Sequence, residues 1–424
     1  METLSNSTVL VAGSLDTKGA EIGFLRDRLR AAGLKPEVVD IGVMGPPLIP
    51  PDVSREEIAR AAGESIAELV AAGDRGHAMA AMHKGLSTWM RNRRDTAMPA
   101  GMLAIGGSAG TAVATAGMRE LPIGIPKLMV STMASGDVRP YVGTSDICMM
   151  YSVGDFTGLN RLTNTILANA ADAMAGMCGH KAPLPAESGR TLLGATMFGV
   201  TTPCVNRVKD LVERQGYELL VFHATGTGGL AMERLVTDGF IKGVLDITTT
   251  ELADELVGGV LTAGPDRLEA AGNLGVPQVV SVGALDMVNF GAPESVPAKF
   301  AARHFYPHNP AVTLMRTTPE ENRQLGELLA RKLNQARGPV TLLLPLRGVS
   351  AIDSMGKPFY DADADACLFD AIRRNLAPQV KLVELDLHIN DPEFAAAIVN
   401  EFLKQADTPA PQLAGATAWP GGRV

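Results

Sequence analysis

The chain has 424 residues, 46% hydrophobic and 20% charged, which excludes a disordered chain or a coiled coil and indicates two domains. Acidic residues number 46 against 38 basic ones, so the net charge is −8, and aromatic residues make up only 4%. These values argue against nucleic acid as a partner, because phosphate backbones attract basic surfaces and single strands stack on aromatic rings.

The chain opens with a βαβ pattern. An apolar run over 8–13 ends in glycine and predicts a buried strand, and a polar turn is expected over 14–19. Apolar residues at helical spacing over 21–32 predict an amphipathic helix that ends at Gly33, and 37–43 predicts the next strand. Strands joined in this way lie parallel, with a right-handed crossover.

The same pattern restarts about 180 residues later, after a linker predicted over 183–189. The sequence therefore predicts an α/β fold of two Rossmann-like parallel-sheet lobes with a cleft between them: residues 1–185, residues 190–405, and a flexible tail or arm over 406–424. The further elements predicted for the first lobe are helices over 54–72, 77–91, 112–119 and 155–177, and strands over 102–105 and 127–131. Those predicted for the second lobe are strands over 191–199, 218–223, 243–247, 278–282, 312–315, 340–344 and 380–385, and helices over 203–215 and 391–404.

Three loops rich in glycine and hydroxyl groups follow strands of the first lobe. In an open parallel sheet, ligands bind beyond the carboxyl ends of the strands, and a helix N-terminus there favours anions. Lys18 suits a phosphate, and Asp16 suits Mg²⁺ or a ribose hydroxyl; helix capping by Asp16 or Thr17 and plain strand-to-helix turns are the structural alternatives. No Walker A motif occurs. The candidate ligand-binding residues are Asp16, Thr17, Lys18, Gly106, Gly107, Ser108, Gly110, Thr111, Ser131, Thr132, Ser135 and Gly136.

A fourth glycine-rich loop lies in the second lobe, where GTGGLA over 226–231 follows the strand over 218–223. With Asp246 20 residues after the first glycine, it resembles a dinucleotide fingerprint, although two extra residues separate the strand from that glycine. A bound anion, a dinucleotide and an empty loop are the alternatives. We predict a second anion site at Gly226, Thr227, Gly228 and Gly229.

Polar side chains gather in the other loops of the second lobe. His223 or His388 suits the role of acid or base, and Arg347 that of a clamp for a carboxylate or phosphate. The alternative is that these residues cap loops or are buried and hydrogen-bonded. The rest of this set comprises Thr248 to Glu251, Asp286, Asn289, His304, His308, Asn309, Asp353, Asn390 and Asp391.

The four cysteines lack the spacing typical of metal ligands or of redox-active pairs. His304 and His308 are four residues apart, but Pro307 disfavours the helix on which both could bind one metal ion. Reduced thiols fit a cytoplasmic protein. We expect no signal peptide and no membrane span, because the apolar run near the N-terminus is short and lacks preceding basic residues.

Long segments of the chain resemble the ATP-binding inhibitory-domain family of the tomato mosaic virus resistance protein and its uncharacterised bacterial relatives. The resemblance spans about 8–405, with Ala109 where the family pattern has glycine. It implies ATP or a related nucleotide in the first lobe, and homodimers, but no reaction. The segments that carry it are 16–33, 106–137, 141–147, 222–229, 245–254, 283–293, 308–318, 345–353 and 388–395.

These observations predict a cytoplasmic homodimer that binds ATP with Mg²⁺ in the first lobe and has a second polar site in the second lobe. Three functions stay open. The protein is an ATP-using enzyme acting on a small acid, an ATP-independent hydrolase or lyase that uses His223, Arg347 and His388, or a non-catalytic regulator that the nucleotide stabilises. The expected partners are therefore a nucleotide, a small carboxylate or phosphorylated substrate, and a second copy of the chain.

Overall fold

The computed structural model describes residues 7–179 and 189–406, and the chain divides into two compact units, residues 1–187 and 188–424. Most of the predicted linker over 183–189 lies outside the described residues, as does the predicted tail beyond 406.

Unit one is a five-stranded sheet in the order β2-β1-β3-β4-β5, with every pair of neighbours parallel. The strand order changes direction between β1 and β3, which makes that point the topological switch of the sheet. Its elements are β1 (Thr8–Gly13), α1 (Leu15–Ala31), β2 (Lys35–Asp40), α2 (Arg55–Ala62), α3 (Ile66–Ala72), α4 (Arg75–Thr96), β3 (Gly101–Gly106), α5 (Ser108–Glu120), β4 (Lys127–Ser131), α6 (Arg139–Val142), β5 (Cys148–Tyr151) and α7 (Arg161–Gly179).

Helices cover both faces of this sheet, so its interior strand β1 is apolar after Thr8. Val9 and Val11 pack on the side of α1 and α7, whereas Leu10 and Ala12 pack on the side of α2, α4 and α5. All four side chains are fully buried. A near-continuous apolar run is what a parallel strand covered on both faces requires.

Several elements of unit one differ from the prediction. The polar segment over 14–19 is not a turn, because α1 begins at Leu15 directly after β1. The helix expected over 54–72 is two helices, since Gly63 ends α2 in the left-handed region at φ 86° and a capping box of Ser65 with Glu68 starts α3. The long helix α7 begins at Arg161, and β5 was not predicted.

Unit two has a six-stranded parallel sheet in the order β14-β13-β9-β8-β6-β7 and a three-stranded antiparallel sheet in the order β10-β12-β11. Its elements are β6 (Leu192–Met197), α8 (Thr202–Arg214), β7 (Glu218–His223), α9 (Thr227–Thr237), β8 (Gly243–Thr248), α10 (Glu251–Val257), α11 (Ala270–Leu274), β9 (Gln278–Gly283), β10 (Met287–Phe290), β11 (Phe305–Asn309), β12 (Val312–Arg316), α12 (Pro319–Leu333), β13 (Val340–Pro345), α13 (Ala362–Asn375), β14 (Lys381–Leu385) and α14 (Pro392–Ala406).

The prediction of two Rossmann-like parallel-sheet units is confirmed. The antiparallel sheet was not predicted, and it contains the strand that the sequence indicated over 312–315. Within 7–179 and 189–406, no helix combines the length and the apolar character needed to cross a membrane.

Candidate functional site

A cavity of about 540 Å³ lies at the carboxyl edge of unit one, where β1 and β3 end side by side. This is the switch point of the sheet, the place where open α/β sheets bind ligands. The cavity is lined by Ser14, Asp16, Thr17, Lys18, Ile41, Gly42, Val43, Met44, Leu69, Val70, Gly73, Asp74, Arg75, Ala78, Met79, Gly106, Gly107, Ser108, Ala109, Gly110, Val113 and Asp155.

The N-terminus of α5 opens into this cavity without a cap. Gly107 occupies the N-cap position and has no side chain to accept from the first amide groups of the helix. A Cβ at Gly106 would lie 2.9 Å from the backbone of Gly110, so glycine is required there for the turn. At Gly107 and Gly110 the nearest atoms would be 3.8 and 3.7 Å away, which is ordinary contact. The fold therefore tolerates a side chain at these two positions, and glycine there leaves the helix terminus accessible to an anion.

The N-terminus of α1 reaches the same cavity, and its Ser14 side chain makes no capping hydrogen bond. The Leu15 amide donates to Asp40 Oδ1 at 3.1 Å. Asp16 does not cap its own helix, because its Oδ2 accepts from the amides of Met44 and Gly45, both at 3.1 Å. Its Oδ1 is buried and has no hydrogen-bond partner among the described residues.

Two cations complete the lining. Within the described ranges, neither Lys18 nor Arg75 makes an ion pair, and both line the cavity. Hydroxyl groups of Ser14, Thr17 and Ser108 lie among them. The lining thus combines the uncapped N-terminus of α5, two cations and three hydroxyls, which suit the phosphates of a polyanion, with the three carboxylates of Asp16, Asp74 and Asp155.

A second cavity of about 480 Å³ adjoins the first and shares Gly107, Ser108 and Asp155 with it. Val153 in its wall has φ 63°, a conformation that β-branched residues rarely adopt. Backbone strain of this kind collects at functional sites. The other lining residues are Thr132, Met133, Tyr151 and Gly154.

The structure brings eight of the twelve predicted ligand-binding residues to these cavities. Thr111 and Ser131 are fully buried instead, with their hydroxyl oxygens hydrogen-bonded to each other at 2.6 Å. Ser135 and Gly136 are exposed and line neither cavity. Of the eight predicted residues that line a cavity, Thr132 lines the second, and the first is lined by Asp16, Thr17, Lys18, Gly106, Gly107, Ser108 and Gly110.

Sequence reasoning missed Arg75, Tyr151 and Asp155 as lining residues. Arg75 starts α4, a helix that does not follow a strand, so the search for strand-end loops passed over it. Tyr151 ends β5, and that strand itself was not recognised.

In unit two, a carboxylate of the protein already occupies the predicted anion site. Glu251 Oε1 accepts from the amides of Gly226 and Gly229 at 2.7 and 3.0 Å. A Cβ at Gly229 would lie 2.2 Å from Glu251 Oε2, and one at Gly228 would lie 1.8 Å from the His223 carbonyl oxygen, so neither glycine is replaceable. An external anion at Gly226, Thr227, Gly228 and Gly229 would have to displace Glu251.

Buried Arg267 holds this arrangement together. Its guanidinium donates to Glu251 Oε2 at 2.7 Å and to both oxygens of Asp246 at 2.5 and 2.7 Å. Thr196 also donates to Asp246, at 2.7 Å. Asp246 therefore has the position of a ribose-binding acid in a dinucleotide fingerprint, but its carboxylate is engaged inside the protein.

The three predicted catalytic residues do not form one set. His223 ends β7 at one edge of the sheet, whereas Arg347 follows β13, four strand spacings or about 19 Å away. Arg347 forms an exposed two-point ion pair with Asp386 at 2.7 and 2.6 Å. His388 Nδ1 accepts from the Asn390 amide and Nε2 lies 2.8 Å from the Ser350 carbonyl oxygen, so both ring nitrogens are used within the fold. The loop-capping alternative describes His388 and Arg347 better.

A second buried cluster in unit two surrounds Arg316, which donates to Asp365 at 2.7 Å and lies 3.5 Å from Asp353. Asp286 accepts from Ser350 Oγ at 2.7 Å. Burial raises the pKa of Asp286 to about 6 and that of Asp353 and Asp365 to about 7. Three carboxyl groups around one guanidinium thus share fewer than three negative charges near neutral pH.

Fold and cavity together define a two-lobed α/β protein with a doubly wound parallel sheet in each lobe and an open cavity at the switch point of the first. The chain belongs to the uncharacterised protein family UPF0261: the family's N-terminal domain matches residues 7–183 and its C-terminal domain matches residues 190–406.

Relatives in bacteria and plants support this assignment. A UPF0261 protein of Clostridium tetani is 49% identical over 403 residues, which cover 95% of this chain and 100% of that protein. The ToMV resistance protein Tm-1 of Solanum lycopersicum is 48% identical over 338 residues, which cover 78% of this chain and 45% of the tomato protein. Among solved structures, a UDP-N-acetylglucosamine 2-epimerase from Rickettsia bellii is 10% identical over 64% of this chain and 78% of that one, with a TM-score of 0.23, which is too low to carry an argument.

Proposed function

We propose that unit one binds ATP with Mg²⁺ in the cavity between the ends of β1 and β3. The observation that carries the proposal is the N-terminus of α5, which has no side-chain cap and lies in the cavity at the switch point of a parallel sheet. Lys18 and Arg75 add positive charge for the phosphates, and the family resemblance favours ATP among polyanions.

The residues present fit a metal-bound nucleotide. The Oδ1 of Asp16 has no hydrogen-bond partner in the part of the chain that the structure describes, and carboxylate oxygens are ligands that Mg²⁺ takes alongside phosphates and water. The apolar lining by Val70, Met79 and Val113 offers a surface for a base.

We expect ATP with Mg²⁺ to raise the melting temperature, because a ligand selective for the folded state stabilises it by about 2.7 kcal/mol at 100 times its Kd. Gly107→Val should abolish the shift, since the new side chain blocks the approach to the α5 amides while the fold has room for its Cβ. Thermal-shift titration measures both. A matched control, Gly136→Val, lies outside both cavities and should keep the shift. An unchanged melting temperature at millimolar ATP in the unmutated protein contradicts the proposal.

The adjoining cavity favours an ATP-using enzyme over a passive nucleotide binder. Thr132, Tyr151 and Asp155 give it hydroxyl groups and a carboxylate next to the shared residues Gly107 and Ser108. A small acid or phosphorylated molecule is the substrate class we propose. ADP release measured over a set of small carboxylates separates this function from the non-catalytic regulator, which releases none.

We also propose a cytoplasmic homodimer. None of the four cysteines is in a disulfide. The Ala- and Met-rich helices α4 and α7 bury one face each within unit one, so their composition is explained without a partner, and the dimer proposal rests on the family resemblance. Light scattering after size exclusion should give about twice the mass of one 44.5 kDa chain. A mass of one chain at micromolar concentration contradicts the homodimer.

A further inference from the structure

The segment over 346–361 connects β13 to α13 at the carboxyl edge of the sheet in unit two, and we call it the strap. Its first half is tied to neighbouring loops. The Ala284 amide donates to the Val349 carbonyl oxygen at 3.0 Å, and the Ala351 amide donates to the Val200 carbonyl oxygen at 2.9 Å. The tip of the strap over 355–358 is exposed. Only part of the strap is therefore packed against the rest of unit two.

One aromatic side chain anchors the second half of the strap. Phe359 is fully buried in a small apolar cluster with Val200, Ala284, Met287 and Leu314. This cluster is distinct from the two larger ones that cover the six-stranded sheet. Small satellite clusters of this kind lie under long loops, and elements held by few buried contacts open at lower cost than the core.

The other anchor of the strap is a charged cluster around Arg316 of β12. Its guanidinium donates to the Phe359 carbonyl oxygen and to Asp365 Oδ1, both at 2.7 Å, and lies 3.5 Å from Asp353 Oδ1. Asp286 accepts from a hydroxyl group of the strap at 2.7 Å. Three buried carboxyl groups thus surround one cation, and one of them, that of Asp353, belongs to the strap itself.

This cluster has to keep protons while it is closed. Asp353 and Asp365 hydrogen-bond to each other, which two carboxyl groups do only when one of them is protonated. Apart from that proton, Asp353 Oδ1 has no donor in the part of the chain that the structure describes, and neither has Asp286 Oδ1. Burial, together with repulsion from a neighbouring carboxylate, raises the pKa of both Asp353 and Asp365 to about 7.

We propose that the protons of the Arg316 cluster keep the strap closed, and that the strap opens as the pH rises through neutrality. In the open strap the carboxyl groups reach water and ionise with ordinary acidity. The closed strap therefore binds more protons than the open one, and a rise in pH favours opening. This device does not depend on what binds to the cavity in unit one.

Two histidines also face the strap. His388 Nε2 lies 2.8 Å from a strap carbonyl oxygen, and the His304 ring packs edge-on against the Phe359 ring with the centroids 5.3 Å apart. Arg303 donates to the backbone of β12 and pairs with Glu321. The other charged groups of the strap are Arg347, which pairs with Asp386, Asp361, which caps α13, and the exposed Lys357. Substitutions at the carboxyl groups separate their titration from that of the histidines.

Hydrogen exchange of the full chain, followed by mass spectrometry at pH 5, 6 and 7, measures the opening. Each rate is corrected for the exchange rate of an unstructured peptide at the same pH. We expect the opening of amides over 349–361 to increase about tenfold or more for each pH unit, because at least one proton is released. Amides of β13 should exchange more slowly at every pH, since they open only when the sheet unfolds.

Asp353→Asn should weaken this pH dependence. Asparagine keeps an oxygen for the Val349 amide, and its NH₂ group donates to Asp365 in place of the shared proton, so the strap stays closed. From pH 5 to 7, opening should increase about tenfold less, or lower still, than in the unmutated protein. Asp365→Asn keeps the oxygen that accepts from Arg316 and should have the same effect. The matched control is Asp363→Asn, which changes an exposed carboxylate in the same turn of α13 and should keep the full pH dependence.

A pH dependence that is weakened in Asp353→Asn and Asp365→Asn but kept in Asp363→Asn supports the proposal. An opening of 349–361 that is constant from pH 5 to 7, or that depends on pH equally in all three variants, overturns it. A common exchange rate for the strap and β13 also overturns it, because unit two would then unfold as a whole and the strap would not open by itself.

Discussion

Replacing Arg267 with methionine should unfold unit two or leave it only marginally stable. The Arg267 side chain is 0% exposed and touches Asp246, Glu251 and Glu233 at 2.5, 2.7 and 3.5 Å. Removing one partner of a buried ion pair costs about 3–5 kcal/mol, and here three carboxylates lose their cation at once. We expect a loss of about 5 kcal/mol, which is the whole stability of many domains. Urea unfolding followed by circular dichroism measures it.

Arg373→Met is the control for this prediction. Arg373 also contacts two carboxylates, Asp370 and Glu384, but on the surface, where such pairs contribute about 1 kcal/mol or less. The loss of stability in Arg267→Lys should lie between those of Arg267→Met and Arg373→Met. Lysine keeps the positive charge but lacks the planar guanidinium that binds Asp246 at two points. Equal stability of Arg267→Met and Arg373→Met would show that the buried cluster does not hold unit two together.

The two units differ in what occupies the crevice at the carboxyl ends of their parallel strands. Both sheets reverse strand order beside their first strand, at β1/β3 and at β6/β8. In unit one that crevice is an open cavity. In unit two the hydroxyls of Thr201 and Thr248 bond each other at 2.8 Å, and Arg267, Asp246 and Glu251 complete a buried network. One topology thus provides an open cavity in unit one and a buried polar network in unit two.

Local patterns were sufficient for most strands because a parallel strand buried on both faces is an uninterrupted apolar run. β1 and β4 are buried in this way and have the predicted bounds. β7 also has the predicted bounds although it is a partly exposed edge strand, because residues 219–222 form an apolar run. β5 has the sequence CMMY and is only partly buried at the edge of its sheet, so it lacks that signal. The antiparallel sheet was missed because β11 contains Pro307 and is mostly exposed, which weakens any strand pattern.

Strand-end loops located the cavity, because topology alone brings the ends of β1 and β3 together. Partners distant in sequence were not predictable in this way. Nothing near Arg267 indicates that it is buried against Asp246, 21 residues earlier, and Glu251 was singled out without any sign that it fills the loop at Gly226.

Unit two should lose stability as pH rises from 5 to about 7, in part through Asp254. Burial raises the pKa of Asp254 to about 7, against hydrogen bonds from Asn289 and Leu261 that lower it. Between pH 5 and 7 the unfolded chain has an ionised Asp254 whereas the folded chain keeps the proton. Since the folded state then binds more protons, each pH unit removes about 1.4 kcal/mol, or about 3 kcal/mol over the window. Calorimetry at pH 5, 6, 7 and 8 measures this loss.

Asp254→Asn isolates the contribution of this carboxyl group. Asparagine keeps an oxygen for the amides of Asn289 and Leu261. The buried Asn289 Oδ1 has no partner within 7–179 and 189–406, and it can accept from the new amide once the Asn289 side chain flips. The free energy of unfolding of the variant, relative to that of the unmutated protein, should therefore rise by about 3 kcal/mol from pH 5 to pH 8. Asp386→Asn should show no such gain, because the Arg347 guanidinium lowers the pKa of the exposed Asp386 and moves its titration below this window. A stability difference between Asp254→Asn and the unmutated protein that stays constant from pH 5 to 8 would mean that Asp254 is already ionised in the folded chain at pH 5.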